Sequence, residues 1–424
     1  MNIQSIKKKL KEEGLFHGGM YYFCHFFSKV SLPLVGKWTV NHRSVCETRI
    51  VFKNREMQDF TDNARALFEY LVEKGYNEKY QIIYMVSEKK KFKYRKYKNV
   101  KFVTAENRYG WNSPRAYYYG ATAKYFFYTN NSADLNRYHC PGQVTVNLWH
   151  GCGYKGATRA NKNIPHSDSM SYFDYAVVPG PVFAETKSEY WQCPKDKILP
   201  LGYPRYDWML DKDNNKTELL DKLFGWKDEE TKAVIWMPTF RKSSLTGYGE
   251  NDIELPYELP AVEGPGDMKK LDDLCRDKNI LLMIKKHPLQ IGWSGSQEGF
   301  TNIRYVTEEL LESKDVLLYR LVGVCDGLLS DYSSIAVDYI LLDRPIGFVL
   351  TDFEMYKNAR GFVFEDPLKY MPGEKIYDFS QLKAFLAHVG EGEDLFAEER
   401  HQVLPEMHSC TDNYRKRLAE QLGL

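Results

Sequence analysis

The 424-residue sequence has almost no net charge: 58 Lys and Arg stand against 57 Asp and Glu, a balance of +1. With a pI of about 7.5, it does not fit a protein that holds nucleic acid by bulk positive charge. Mean hydropathy is −0.52 and no run of ~18 uncharged apolar residues occurs, so no transmembrane helix is expected. The eight cysteines (Cys24, Cys46, Cys140, Cys152, Cys193, Cys275, Cys325 and Cys410) form no CxxC pair and share no repeated spacing. That argues against a zinc site or disulfide framework and for reduced cytoplasmic thiols. A GxxxxGK[ST] motif is missing, which disfavours a P-loop nucleotidase, and no GxGxxG follows the first strand, which disfavours a dinucleotide dehydrogenase. No carboxylate cluster suggests a metal site, and nothing calls for a cofactor. The residues after Lys7–Glu13 lack a small-residue cleavage site, so a signal peptide does not fit.

What the chain has is apolar mass: 43% hydrophobic and 15% aromatic residues, enough to offset chain entropy. Its length suggests two or three domains with a cleft between them. The near-zero sum also hides two basic blocks. Residues 1–43 carry seven basic and two acidic groups, and residues 89–101 carry eight basic groups and no acid. In the first block Leu15, Phe16, Met20, Tyr21, Phe23, Phe26, Phe27 and Val30 recur mostly every three or four residues, a helical stripe that Pro33 is expected to end. Such a segment suits an anionic membrane surface, or docking on the protein's own surface or another subunit. The second block reads as a solvated loop or a holder of polyanions.

From Arg49 onward, apolar strands alternate with helices. A first run extends from Arg49–Phe52 to Ile198–Leu201. A charged stretch, 211–232, separates it from a second run beginning at Ala233–Met237 and ending at Pro345–Leu350; a helical tail follows at Phe379–Val389 and Phe396–Leu422. The pattern predicts parallel sheets covered on both faces: an α/β chain with two Rossmann-like domains facing a cleft and an N-terminal amphipathic helical segment. The long 241–266 segment, rich in Gly, Pro and acidic residues, reads as functional or disordered.

Ligands of open α/β sheets bind beyond the carboxyl ends of strands, so polar residues there are the candidates. After Val144–Trp149 comes His150-Gly151-Cys152-Gly153-Tyr154-Lys155, a potential general base entering a glycine loop. Arg241 follows Ala233–Met237 and can clamp a phosphate or carboxylate. His287-Pro288 follows Ile280–Lys286, and Lys285, Lys286 and His287 place positive charge at that strand end. Asp331-Tyr332-Ser333-Ser334 follows Gly327–Ser330 and opens a helix, whose amides and dipole suit phosphate; Asp331 could bind ribose, order the loop or cap the helix. Arg360-Gly361 adds a further cation. Together these suit a phosphate-rich, nucleotide-linked substrate.

In order and spacing, several segments resemble the CDP-glycerol glycerophosphotransferase family, the teichoic acid primases and polymerases. They are Thr61-Asp62-Asn63-Ala64-Arg65-Ala66-Leu67, Trp149-His150-Gly151, Leu201-Gly202-Tyr203-Pro204-Arg205, Pro238-Thr239-Phe240-Arg241, His287-Pro288, Ser330-Asp331-Tyr332-Ser333-Ser334 with Asp338-Tyr339, Asp343-Arg344-Pro345 and Arg360-Gly361, spread over residues 49–367. The resemblance implies a GT-B fold. It also implies transfer of a polyol phosphate from CDP-glycerol or CDP-ribitol to a hydroxyl of a lipid-linked acceptor, with release of CMP, at the cytoplasmic face of the bacterial membrane.

By the same resemblance His150 is the base and His287 holds the donor pyrophosphate. Ser333 and Ser334 bind phosphate with support from Asp331, and Arg241 and Arg360 neutralise charge. Gly151 and Lys155 belong to the acceptor loop. The implied layout is a membrane-associating segment 1–43, an acceptor domain 44–210, a CDP-donor domain 211–390 and a helical tail 391–424. Two departures stand out. Polymerases commonly continue Trp-His-Gly with Thr-Pro-Leu-Lys, where this chain has Cys152-Gly153-Tyr154-Lys155. The residue two before the second histidine is often Arg, and here it is Lys285. Without a large extra N-terminal region, the chain resembles the shorter members. A GT-B glycosyltransferase using a nucleotide sugar, and a non-catalytic binding protein on the same fold, are the competing readings.

Overall fold

The computed structural model describes residues 3–54, 60–86, 93–105, 113–129, 138–156, 173–239, 255, 257, 259–285, 299–359 and 361–424. The chain begins with helix α1 (Ile3–His42), then β1 (Cys46–Lys53), α2 (Asp62–Glu73), β2 (Gln81–Val86), β3 (Val100–Thr104), α3 (Pro114–Thr122), β4 (Ala123–Tyr128), β5 (Val144–Asn147), β6 (Tyr175–Val177), α4 (Pro181–Trp191) and β7 (Ile198–Leu199). A short helix α5 (Tyr206–Met209) and α6 (Lys216–Phe224) lead to β8 (Lys232–Trp236), α7 (Pro265–Asp277), β9 (Ile280–Ile284), β10 (Ile303–Tyr305), α8 (Glu308–Ser313) and α9 (Leu318–Val324). Then come β11 (Gly327–Ser330), α10 (Ser334–Tyr339), β12 (Ile346–Val349), α11 (Phe353–Ala359), β13 (Glu374–Ile376), α12 (Phe379–Glu391), α13 (Ala397–Met407) and α14 (Tyr414–Gln421).

The strands form two sheets, ordered β3-β2-β1-β4-β5-β6-β7 and β10-β9-β8-β11-β12-β13, whose strand pairs are parallel. Sheets covered on both faces call for unbroken apolar strands, and β9 (Ile-Leu-Leu-Met-Ile) is buried along its whole length. One apolar core runs from the first sheet to the inner face of the second, and a smaller one fills the space between the second sheet, α7 and α12. In each sheet the strand order reverses once, at β1/β4 and at β8/β11, and these switch points are where open α/β sheets form binding crevices.

The tail returns to the first half of the chain. The backbone amide of Tyr414 and Arg415 Nε donate to Asp207, at 3.0 and 2.8 Å, and Tyr125 Oη donates to the Leu422 carbonyl at 2.9 Å. The expected single span Phe396–Leu422 is therefore two helices, broken where Asn413 takes a positive φ of 55°. The helix before β11, α9, starts at Leu318. A separate helix, α8, precedes it because Thr307 Oγ1 accepts from the Leu310 amide at 3.1 Å. Strands β3 and β13 had no clear sequence signal.

Pro33 does not end α1. The helix continues to His42, and its non-helical joint is at Gly14 (φ 82°, ψ 158°). Past Pro33 the helix is held by packing on α3, with Gly36 pressed against Tyr138 and Thr39 buried. On the outer face Phe16, Phe23, Phe27, Val30, Leu34 and Trp38, in steps of seven, four, three, four and four residues, are all solvent-exposed. Among the described residues no helix is long and apolar enough to cross a membrane.

Candidate active site

Strand β5 delivers the chain into an unusual turn. Trp149 has φ +50° and Gly151 has φ +146°. A bulky side chain in the left-handed region costs on the order of 1–3 kcal/mol and persists only where surrounding bonds over-determine it. Those bonds are present. Asn147 Oδ1 accepts from the Trp149 amide at 2.9 Å. Asn63 Nδ2 donates to the carbonyls of Leu148 (3.1 Å) and Trp149 (3.2 Å), and Arg205 Nη1 donates to the carbonyl of His150 (3.0 Å). The His150 ring lies against that of Trp149, centroids 4.2 Å apart.

The glycines of this loop allow it to touch the start of α10. A Cβ on Gly151 would sit 2.5 Å from Ser334 Oγ, and one on Gly153 would sit 2.9 Å from Ser334 N and Cα. Only hydrogen fits in either place. Gly151 and Gly153, from the first half of the chain, are thus brought to Ser333 and Ser334, from the second. The α10 helix, extended by a 3₁₀ turn to Leu342, opens at Ser333 with its positive end at this junction.

Asp331 lies below the junction, fully buried. Its carboxylate accepts from the Thr239 amide (3.0 and 2.9 Å) and from Thr239 Oγ1 (2.7 Å). It therefore ties the end of β11 to the end of β8 across the second switch point. Of the three roles considered from sequence, these contacts are those of ordering the loop. At the start of α2 Thr61 makes no capping bond, and the Asp62 carboxylate turns to Arg205.

Lys155 pairs by its backbone with Phe362, flanked by bonds from the Gly156 amide to the Gly361 carbonyl (2.8 Å) and from the Val363 amide to the Tyr154 carbonyl (2.9 Å). The loop that follows His150 and residues 361–363 are therefore joined edge to edge. Arg360 itself, with Arg241 and His287, lies outside the described residues. Lys285 is a correction: it is not free positive charge for a ligand, because its ammonium is buried and donates to Glu308 Oε1 at 2.7 Å.

The largest feature that sequence reasoning left without a role is the charged seam under the site. Arg205, only 4% exposed, donates through Nη1 to Asp62 (2.6 Å) and through Nη2 to Asp338 (2.9 Å). Asp338 is fully buried and also accepts from the hydroxyls of Tyr206 and Tyr319. Burial holds both phenols well above their usual pKa, so they stay protonated donors. The motif segments carrying Asp62, Arg205 and Asp338 were visible in the sequence, but partners more than a hundred residues apart leave no local trace. Lys187 was also missed. Its ammonium sits over the rings of Trp149 (4.9 Å), Tyr190 (4.6 Å) and Trp191 (5.5 Å), and burial lowers its pKa. Among the described residues no group of three or more His, Cys, Asp or Glu is placed to hold a metal ion.

A family model described as CDP-glycerol:poly(glycerophosphate) glycerophosphotransferase matches residues 37–421. The teichoic acid ribitol-phosphate primase of Bacillus spizizenii is 31% identical over 234 residues, covering 52% of this chain and 55% of that protein. The teichoic acid poly(glycerol phosphate) polymerase of the same organism is 26% identical over 332 residues, 75% of this chain and 78% of its own. The teichoic acid glycerol-phosphate transferase of Staphylococcus aureus is 24% identical, over 83% and 86% of the two chains. Among solved structures, the wall teichoic acid polymerase TagF shares the fold with a TM-score of 0.69 at 19% identity, covering 95% of this chain and 96% of that one.

Proposed function

The chain belongs to the CDP-glycerol:poly(glycerophosphate) glycerophosphotransferase family, and on that premise we propose that it transfers glycerol phosphate, or a related polyol phosphate, from a CDP-activated donor to an acceptor hydroxyl. The acceptor is a membrane-linked saccharide or polyol-phosphate polymer of the teichoic acid type, the class its relatives are named for. The fold is read as GT-B, with residues 44–210 presenting the acceptor and residues 211–390 the donor.

His150 takes the proton from the acceptor hydroxyl as its oxygen attacks the phosphorus that carries the polyol. The bond from that phosphorus to the bridging oxygen breaks, and CMP leaves with the electron pair. The start of α10, with Ser333 and Ser334, receives the phosphate oxygens through its amides. Asp331 acts beneath, by fixing Thr239 and so the course of the chain toward Arg241. Arg241, His287 and Arg360 neutralise the pyrophosphate and the departing CMP, roles that come from the family resemblance. Attack on a phosphodiester depends on alignment and charge stabilisation, which this arrangement supplies without a covalent intermediate.

The observation that carries the reading is the contact of the His150 loop with Ser334 through Gly151 and Gly153. It brings the loop that follows His150 to the start of α10, which supports reading the two as parts of one site. The test is CMP release from CDP-glycerol, CDP-ribitol and a panel of nucleotide sugars, with a lipid-linked acceptor and mass analysis of the product. CMP release with polyol-phosphate transfer is expected. Sugar transfer without CMP would establish the glycosyltransferase reading instead.

The exposed apolar side chains of α1 and the lysines of residues 1–43 supply a means of docking to an anionic membrane. In this reading the enzyme is peripheral, on the cytoplasmic face, where a lipid-linked acceptor is presented.

A further inference from the structure

We propose that Asn63 and Arg205 are the positioning residues of His150, and that Arg205, through Asp338, sets the spacing between this base and the phosphate-binding start of α10. The inference rests on the reading of His150 as the base.

Three successive carbonyls, those of Leu148, Trp149 and His150, accept hydrogen bonds from just these two side chains. The two are themselves linked, the Arg205 amide donating to Asn63 Oδ1 at 3.3 Å. They grip the turn where it is strained, on either side of Trp149 at φ +50°. Without that grip the peptide has no reason to remain left-handed, and the imidazole moves with it. Asn147 alone would hold one amide.

The same guanidinium reaches the other half of the chain. Asp338 lies on α10, whose first residues are the proposed phosphate site, and its carboxylate is fixed by Arg205, Tyr206 and Tyr319. One planar fork thus bonds the base's own peptide and the body of the anion-binding helix. A lysine ammonium is a point charge and cannot span both partners in this geometry. Buried ion pairs are weak devices for stability, since apolar residues of similar volume often serve as well. What this one adds is a fixed distance. The role also accounts for the motif segments 61–67 and 201–205, which hold no group that reacts.

The experiment compares full-length wild type with Arg205→Lys, Asn63→Ala, the double variant Arg205→Met/Asp338→Asn, and His150→Ala. It measures kcat and KM for CDP-glycerol by CMP release, together with thermal unfolding. Arg205→Lys and Asn63→Ala are expected to lower kcat about 100-fold, the loss that ~1 Å of misplacement brings, with donor KM within about threefold of wild type. The double variant removes the two most deeply buried charges, Arg205 and Asp338, together and leaves only Asp62, whose side chain reaches solvent. It should melt near wild type yet stay as slow as Arg205→Lys, which separates positioning from folding. If His150→Ala is inactive while Arg205→Lys, Asn63→Ala and the double variant all turn over within about threefold of wild type, the positioning role is wrong and the base assignment stands. Wild-type turnover by His150→Ala would overturn the base assignment, and the inference with it.

Discussion

The seam beneath the site and the outer face of α1 depart from the usual sorting of residues in opposite directions. The seam buries charge: Arg205 is 4% exposed and Asp338 0%. The α1 face leaves apolar groups in the open: Phe16 is 71% exposed, Leu34 65% and Trp38 50%. Most charged residues are found outside and large apolar ones inside, so each region needs its own reason. In the seam, every charge has a partner from another part of the chain, and what is gained is a fixed geometry between the two sheets. On α1 the inward residues Gly36 and Thr39 are packed, while a row of outward apolar side chains is solvent-exposed. In the positioning proposal the buried charge keeps two halves at one distance, and in the proposed function the exposed rings are the means of attachment.

The seam is broken most severely by Asp338→Ala. It leaves the second arm of Arg205 and the hydroxyls of Tyr206 and Tyr319 without their carboxylate, and removing one member of a buried pair costs about 3–5 kcal/mol. Urea unfolding should show that loss; a change below about 1 kcal/mol would mean the seam is not held by charge. The corresponding change on α1 is Phe23→Asp. Stability should stay within about 0.5 kcal/mol, the ordinary range for a surface site. Binding to anionic vesicles in co-sedimentation should weaken by about 1.5–3 kcal/mol, the worth of one buried ring. Unchanged sedimentation would remove this face as the docking surface.

Gly153→Ala tests the junction directly above the seam. The new methyl meets Ser334 N and Cα at 2.9 Å, and relieving such overpacking costs roughly 1–3 kcal/mol. Stability and turnover should both fall, and a fully active, fully stable variant would mean that the loop and helix do not need their contact. The smallest effect concerns His408, which donates from Nε2 to the Val337 carbonyl at 2.9 Å. Burial depresses its pKa, with Val337 and Asp338 opposing in part. The neutral ring is therefore favoured in the fold. Its contribution is fully present above the unfolded pKa of about 6.5 and is lost as pH falls from there toward the lower folded value, by at most about 1.4 kcal/mol per pH unit. Replacing His408 with Gln should flatten unfolding free energy against pH below that point, and an unchanged slope would contradict it.

Much of the fold was legible in the sequence because parallel strands covered on both faces are unbroken apolar runs. Gly327–Ser330 was read at its true ends. The short edge strands β3 and β13 were not. They carry Lys101 and Lys375, and edge strands are commonly marked by charge rather than by apolar pattern. The basic block 89–101 accordingly runs into an edge strand at Val100. Pro33 misled because a local breaker was outweighed by tertiary packing. At the site, strand-end position singled out His150, Ser333 and Ser334, and the glycines that follow His150 lie against Ser334. It could not tell that Asp331 faces Thr239, that Lys285 is paired with Glu308, or that Arg205 joins Asp62 to Asp338. Those are long-range pairings, and nothing in the spacing of residues encodes them.

The most direct measurement is CMP release from CDP-glycerol on a lipid-linked acceptor by wild type and His150→Ala, side by side, with donor binding measured on both. The account predicts a fall of about 10²–10⁴ in turnover, the usual worth of a general base, with donor binding retained. Equal turnover by the two proteins would contradict it.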